Sequence, residues 1–523
     1  MPSESAEIVN ASSRLIANDE PHNSISPSEN QSEKLPIELL IKIFGYVSGL
    51  CGGYYTDVVF ADRYVQKLHS MAQVCRRWLE VIKCAPELWT FVSDQDPTNA
   101  HIALDRSQSH PIGLAFRCLP FNRSLYNMVL KHSHRWRRVR VRYTSDDVDA
   151  LRRLEKISAP MLQNLQIQFF DWKGSAAFVL DPFPDHPPRL ISLTLVQVAM
   201  RRWKSPIFGS GLRSLDLACI SNDGPTREDL RDIFQACPEL AHLKLTYVTL
   251  SGDTSDLQLG PRVQLPLLHT LIIAPSSPND IIDIARMAET PRCTTYTVSP
   301  SPEHSHLTVL PGIVMQVQQP FEACIKSGES LHIHLDGYWI RVRCCNGDSL
   351  SSDFHLQVAK FGFDDPVLDW INSILLVRRP PILPIPIDID LDYSGHTDSP
   401  SSPTSLLQLS NVRSLKIADP HGHTNRLLEA LSSPRDDSND QWLWPGLVEV
   451  TVTTFTCPST ILLRMAEARA EAALRQDGAG NVGKIVKLGR FQAERGVFTE
   501  TQFEAVRAVL GDVAVLWPVT EYE

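Results

Sequence analysis

The sequence has no apolar run of the roughly 20 residues needed to cross a bilayer, and no Cys-x-x-Cys pair among its 11 cysteines. The first absence excludes a spanning helix. The second, with an odd count of cysteines scattered along the chain, excludes a disulfide framework. It predicts buried reduced thiols in a cytoplasmic or nuclear protein. Basic charge is also short: the formal net charge is −10, which argues against a generic nucleic-acid surface and its phosphate-neutralising excess of Lys and Arg. The N-terminus, MPSESAEIVNASSRLIANDEPHNS, has neither a signal-peptide nor a transit-peptide profile. Asn10 and Asn122 match the N-x-S acceptor pattern, a chance match without secretion.

Catalytic signatures are missing too. There is no G-x-S-x-G elbow and no H-E-x-x-H pair. The segment Gly478 to Lys484 fits G-x-x-x-x-G-K, but Ile485 stands where a Ser or Thr would hold Mg²⁺, and the segment follows a helical pattern instead of a strand. His332 and His334 lie near Cys344 and Cys345 without the close paired spacing of a structural zinc site, and His421 and His423 sit in a Pro/Gly-rich loop. Asp388, Asp390 and Asp392 alternate with Ile389 and Leu391, a strand with a solvated acidic face and not a calcium loop. The expectation is a non-catalytic chain with no cofactor and no metal.

What is present begins with length. A chain of 523 residues exceeds one compact core, and 43% hydrophobic with 21% charged residues is an ordinary globular balance. Residues 1–34 are rich in Ser, Glu, Asn and Pro and read as a disordered leader. From Leu35-Pro36 a helix is expected, with Leu39, Leu40, Ile43, Phe44 and Val47 at three- and four-residue spacing, ended by Gly49 to Gly53. A second helical pattern runs from Tyr64 to Cys84, and Pro86 opens a short turn holding Leu88 and Trp89. A unit of ~50 residues is marginal alone and suits a docking module completed by a partner.

Beyond residue 130 the period changes. The pattern L-x-x-L-x-[LIV] recurs at Leu162-Leu165-Ile167, Leu190-Leu193-Leu195, Leu212-Leu215-Leu217, Leu240-Leu243-Leu245 and Leu268-Leu271-Ile273, preceded by a degenerate Trp136-Val139-Val141. Its centres are 26, 28, 22, 28 and 28 residues apart, within the ~20–29-residue period of leucine-rich repeats. Helical stretches lie between strands: Thr226 with Asp229 forms a capping box, and Asn279 is a candidate cap for DIIDIARMA. The expected fold is α/β: an irregular leucine-rich-repeat solenoid, a horseshoe of parallel strands and flanking helices, behind an N-terminal three-helix module. The pattern weakens after residue 290, with late copies at Val412-Leu415-Ile417 and Leu447-Val450-Val452 and loop insertions at 394–405 and 432–440. A helix from Ile461 to Gln476, capped by Gly478, belongs to a closing unit. The expected partition is therefore leader 1–34, helical module 35–92, connector 93–130, solenoid 131–455 and capping unit 456–523.

The N-terminal module resembles the F-box family. The resemblance is carried by LPIELLIKIF at 35–44, VCRRW at 74–78 and PELW at 86–89, in that order. The stretch Ser48 to Lys67 exceeds the family's usual short connection, as in expanded fungal F-box families. The resemblance implies a three-helix unit that binds an SKP-family adaptor and through it a cullin–RING (SCF) ubiquitin ligase. By matching position, Leu35, Pro36, Glu38, Leu39, Ile43, Val74, Cys75, Trp78 and Trp89 form or support that contact. F-box followed by leucine-rich repeats implies a substrate receptor. A non-degradative scaffold is the alternative, and a nucleotide switch at the Gly478 segment the third.

If the leucines point into a core, strand alternation puts the intervening residues on the binding face. That predicts Arg138, Arg140 and Arg142, then Gln166 and Gln168, Ser192 and Thr194, Ser214 and Asp216, His242 and Lys244, and Thr270 and Ile272. The run Lys131 to Arg142 is the densest charge feature. It reads either as a seat for an acidic or phosphorylated segment or as an edge strand whose arginines discourage pairing.

Overall fold

The computed structural model describes residues 35–48, 59–94, 97–116, 123–144, 148–170, 177–184, 188–221, 223–252, 261–274, 277–299, 330–336, 339–345, 354–359, 366–377, 385–392, 411–419, 424–434, 442–453, 459–476, 488–494, 500–511 and 514–517, with isolated positions between 317 and 325 and at 406 and 409. The leader, the 394–405 insertion, His421, His423 and the Gly478–Lys484 segment lie outside them. Two units divide the chain between His110 and Pro111.

In the first unit, α1 (Ile37–Ser48) turns Leu40 and Phe44 inward. The expected single helix from Tyr64 to Cys84 is two, α2 (Val59–Ala72) and α3 (Arg76–Cys84). Cys75 between them is extended, φ −158° and ψ 164°. The break turns the chain so that Tyr64, Leu68 and Met71 of α2 and Val81 and Ile82 of α3 share one core, which a straight rod of that length could not do. Phe44 meets Trp78 edge-on with centroids 4.9 Å apart. Trp89, in the 3₁₀ turn Pro86–Trp89, donates its indole N–H to the Ile82 carbonyl at 2.7 Å. The Arg106 guanidinium lies 4.4 Å from the centre of its ring, where the aromatic face attracts a cation.

The second unit is built on a large, mostly parallel sheet that starts earlier than expected. Its strands are β1 (Ile112–Phe116), β2 (Trp136–Thr144), β3 (Asn164–Phe170), β4 (Ser192–Val196), β5 (Ser214–Ile220), β6 (His242–Val248), β7 (Thr270–Ala274), β8 (Thr295–Val298), β9 (Ser330–Asp336), β10 (Trp339–Cys345), β11 (Phe354–Ala359), β12 (Ile387–Asp392), β13 (Val412–Ala418), β14 (Glu449–Thr453), β15 (Arg490–Glu494) and β16 (Ala514–Trp517). The segment expected as a connector, 93–130, thus holds β1 and two helices, Pro97–Arg106 and Arg123–Leu130.

From β1 to β8 each strand pairs in parallel with the next in sequence, and the second leucine position of every copy is in register. Val139 faces Leu165, which faces Leu193, then Leu215, Leu243 and Leu271. All are buried. Three non-glycine residues adopt left-handed backbone at equivalent places: Gln197, Cys219 and Tyr247, with φ of 55°, 56° and 53°, each two residues past the last leucine of its copy. A left-handed residue costs steric strain, so the recurrence of the same exit turn marks one repeated unit.

The register loss after residue 290 has a topological cause. β8 pairs in parallel with β11; β11 with β10 and β10 with β9 are antiparallel; β9 then pairs in parallel with β12. A three-strand meander is therefore inserted in reverse sequence order. The parallel series resumes through β13, β14, β15 and β16. The segment after 455, expected as a closing unit, adds two strands to this sheet.

Local caps account for several helices. Thr226 Oγ1 accepts from the Asp229 N–H at 3.0 Å while Asp229 Oδ2 accepts from the Thr226 N–H at 3.1 Å, the capping box read from sequence. In the helix Pro278–Met287, by contrast, Ser277 occupies the cap position and Pro278 the first turn, displacing Asn279 from the role expected of it. The 18-residue helix Ser459–Gln476 contains a fully buried arginine, Arg469.

Candidate functional site

Helix α1 is apolar on two faces. Leu40 and Phe44 fill the core; Ile37, Leu39, Ile43, Tyr46 and Val47 are exposed, Tyr46 at 76% of its surface. An apolar stripe at i, i+4, i+7 and i+8 on the outside of a small bundle is an unfinished interface. At the α2–α3 turn Val74 is exposed too, at 62%. Of the residues expected to serve the adaptor, Pro36, Glu38, Leu39, Ile43 and Val74 face outward. Leu35, Cys75 and Trp78 are half-buried, and the Leu35 carbonyl is tied down by the Arg77 guanidinium. Trp89 is buried and supports the module from inside. Ile37, Tyr46 and Val47 were missed; with Leu40 and Phe44 assigned inward, helical geometry sets Leu39 and Tyr46 well off the core face, whereas Val47, three and seven residues from Phe44 and Leu40, is exposed against what its spacing implies.

On the sheet, the residues between the leucines share the face opposite the leucine rows, and the register sorts them into rows. One runs Arg138, Asn164, Ser192, Ser214, His242, Thr270; the next Arg140, Gln166, Thr194, Asp216, Lys244, Ile272. Arg142 and Gln168 open a third, with Arg142 Nε donating to Gln168 Oε1 at 2.6 Å. Lys244 Nζ reaches Asp216 Oδ2 at 3.1 Å. Burial pushes the Asp216 carboxyl up from its ordinary range, against the pull of Lys244. β2 is no edge strand: β1 pairs on one side and β3 on the other. Its arginines therefore do not guard an open edge.

The reversed meander carries the same rows onward and assembles a cluster that sequence order concealed. His332 of β9 meets Asp388 of β12 at 3.3 Å, and His334 meets Asp390 at 3.1 Å. Arg341 of β10 lies 2.9 Å from Asp336, and Lys416 of β13 lies 3.7 Å from Asp390. Hydrogen bonds to Asp336 and then Asp390 raise the His334 pKa to about 9. The acidic strand is thus half-buried and paired instead of solvated. Cys344 is buried on the other face, registered with Leu331, away from both histidines. Among the described residues no group of three or more His, Cys, Asp or Glu is arranged to hold a metal, and no described helix is long and apolar enough to cross a membrane.

Residues 32–95 match the family model described as F-box-like. The N-terminal unit therefore carries an F-box-like domain over those residues. Comparison with curated proteins returns no match.

Proposed function

We propose that this chain is the substrate receptor of an SCF-type cullin–RING ubiquitin ligase. The F-box-like domain binds an SKP-family adaptor, and the parallel sheet, read as an irregular leucine-rich-repeat horseshoe, holds a target protein on its polar face. The observation that carries the first half is the apolar stripe of α1, Leu39, Ile43, Tyr46 and Val47, left exposed on a domain that matches the F-box-like model. The repeat reading is supported by the registered leucine rows and the recurring left-handed exit residues. In this reading the chain is non-catalytic and works in the cytoplasm or nucleus. It holds the target near the ubiquitin-loaded subunits, so transfer becomes effectively intramolecular, a gain of several kcal/mol from proximity alone.

The test is capture of adaptor and cullin by the tagged full chain and by a Leu39→Asp/Ile43→Asp variant. Both positions are exposed, so the variant keeps its fold, checked by its melting curve. Wild type retains both proteins and the variant neither. If wild type retains neither, the ligase reading is wrong. Proteasome inhibition separates receptor from scaffold: bound targets accumulate for a receptor and stay level for a non-degradative scaffold.

A further inference from the structure

Charge is distributed unevenly along the chain. Residues 123–213 hold 16 Lys and Arg against 7 Asp and Glu, whereas residues 214–523 hold 24 against 39. Part of that basic excess forms a patch on the helix side of the sheet, away from the polar strand face. The helix Arg123–Leu130 buries Leu125, Tyr126 and Val129. Tyr126 meets Phe116 of β1 and Tyr143 of β2 edge-on, with ring centres 5.6 and 6.5 Å away. That packing turns the four-residue series Arg123, Asn127 and Lys131 outward, and all three are exposed. The next layer is the helix Val148–Arg152 with the 3₁₀ turn Arg153–Lys156. It buries Ala150, Leu151 and Leu154 and exposes Arg152, Arg153 and Lys156. The two layers are tied together: the Tyr126 hydroxyl donates to the Ala150 carbonyl at 3.0 Å, and the Arg153 guanidinium to Asn127 Oδ1.

Among the described residues, none of Arg123, Lys131, Arg152, Arg153 and Lys156 pairs with an acid. Asp149 is the exposed acid on these layers, and the half-buried Glu155 turns to Arg201 at 3.2 Å. Farther along the stack the cations are matched: Arg202 with Asp181 at 2.8 Å, and Lys204 with Asp232 at 2.9 Å and Glu228 at 3.4 Å. Like charges on one helical face repel, so the fold gains nothing from leaving the first two layers unmatched. We propose that this helix-side patch docks a short acidic segment of a partner protein, its carboxylates lying between the two layers. Arg123 to Lys131 spans roughly 12 Å at the helical rise, which matches about four residues of extended peptide. A long polyanion such as a nucleic-acid backbone would run on to the acids at Glu228 and Asp232. A lipid surface would also need apolar side chains to insert, and neither layer exposes a large one. The inference goes beyond the ligase reading and does not depend on it.

The probes are a fluorescent octapeptide of glutamate, the same peptide in glutamine, a single-stranded oligothymidine and vesicles containing phosphatidylserine. Full-length protein is titrated into each, and adaptor capture is measured on the same samples. Wild type binds the glutamate peptide at least ~10-fold tighter than the glutamine peptide, and the preference fades with added salt. Arg123→Gln/Lys131→Gln/Arg152→Gln/Lys156→Gln abolishes the preference with melting curve and adaptor capture unchanged, all four positions being exposed. The milder Arg152→Gln/Lys156→Gln pair weakens it in part. Lys244→Gln/Lys416→Gln, on the polar strand face, keeps it in full. Equal binding of the two peptides overturns the proposal, as does a preference that survives the fourfold substitution or is lost in the strand-face variant. Tighter binding to the oligothymidine or to the vesicles overturns it as well, and assigns the patch to that polyanion instead.

Discussion

His334 keeps its proton where a free histidine would have lost it, because Asp336 and Asp390 both accept from the ring. Its folded pKa, about 9, lies above the unfolded 6.5. The contribution is therefore complete below pH ~6.5 and is lost as the pH rises through about 9. Wild type should lose roughly 1 kcal/mol of stability across that window after solvent screening, and His334→Gln should not. Urea midpoints at pH 6 and pH 9 decide it; a parallel decline in both proteins removes His334 as the cause. Arg469 presents a different case. Burial lowers its pKa to about 10, yet its guanidinium donates to the carbonyls of Leu443 at 3.1 Å and Trp444 at 2.7 Å, fixing the chain that leads into β14. Arg469→Met removes the guanidinium from the Leu443 carbonyl and leaves the Trp444 carbonyl with the Leu447 N–H alone, and should cost about 1–3 kcal/mol. Arg469→Lys should not restore it, since an ammonium cannot reproduce the planar fork. Full recovery by Lys would mean that charge alone holds the site.

At the scale of elements, the helices Arg227–Ala236 and Pro278–Met287 are joined by a buried clamp. Arg227 donates to Asp283 Oδ2 at 2.6 Å and to Asp280 Oδ1 at 3.1 Å, and Asp280 Oδ2 accepts the Leu250 N–H at 3.2 Å. Removing the cation strands two carboxylates, so Arg227→Met should destabilise by about 3–5 kcal/mol near pH 8. Burial already pushes the Asp280 carboxyl up. Without Arg227 it rises further, so the carboxyl takes up its proton earlier and the loss should shrink toward pH 5. A loss independent of pH would point to packing in place of charge. The leucine rows were legible in the sequence because side-chain alternation is written in it residue by residue. The reversed meander was not: Leu331-Ile333-Leu335 of β9 and Ile340-Val342-Cys344 of β10 alternate just as the parallel copies do. Alternation fixes which face a residue takes, never which strand lies beside it. The His332–Asp388 and His334–Asp390 pairs depend on that adjacency, so they were hidden with it. In the outward stripe of α1, Leu39 and Ile43 were expected at the adaptor from the family resemblance, whereas Tyr46 and Val47 were not, because apolar spacing along a helix does not by itself say which apolar face lies outward.

For the whole molecule, the decisive fact is that each unit has its own core. Leu40, Phe44, Tyr64, Leu68 and Trp89 serve the first, and the registered leucines serve the second. A module of this small size is marginal on its own, whereas a stack of repeats gains from every neighbour it pairs with. Two unfolding transitions are therefore expected, the F-box-like unit melting first. Tryptophan fluorescence reports both, through Trp78 and Trp89 in one unit and Trp136, Trp203 and Trp444 in the other. Leu40→Ala should lower the first transition by about 2–4 kcal/mol and leave the second in place, and Leu217→Ala should do the converse. Added adaptor tests the docking face in the same experiment, because a ligand that binds only the folded unit stabilises that unit alone. At a hundred times its dissociation constant the first transition should rise by about 2.7 kcal/mol. The Leu39→Asp/Ile43→Asp variant should show no rise. A rise retained in that variant would move the docking face off the α1 stripe, and a rise in the second transition would place the adaptor on the sheet.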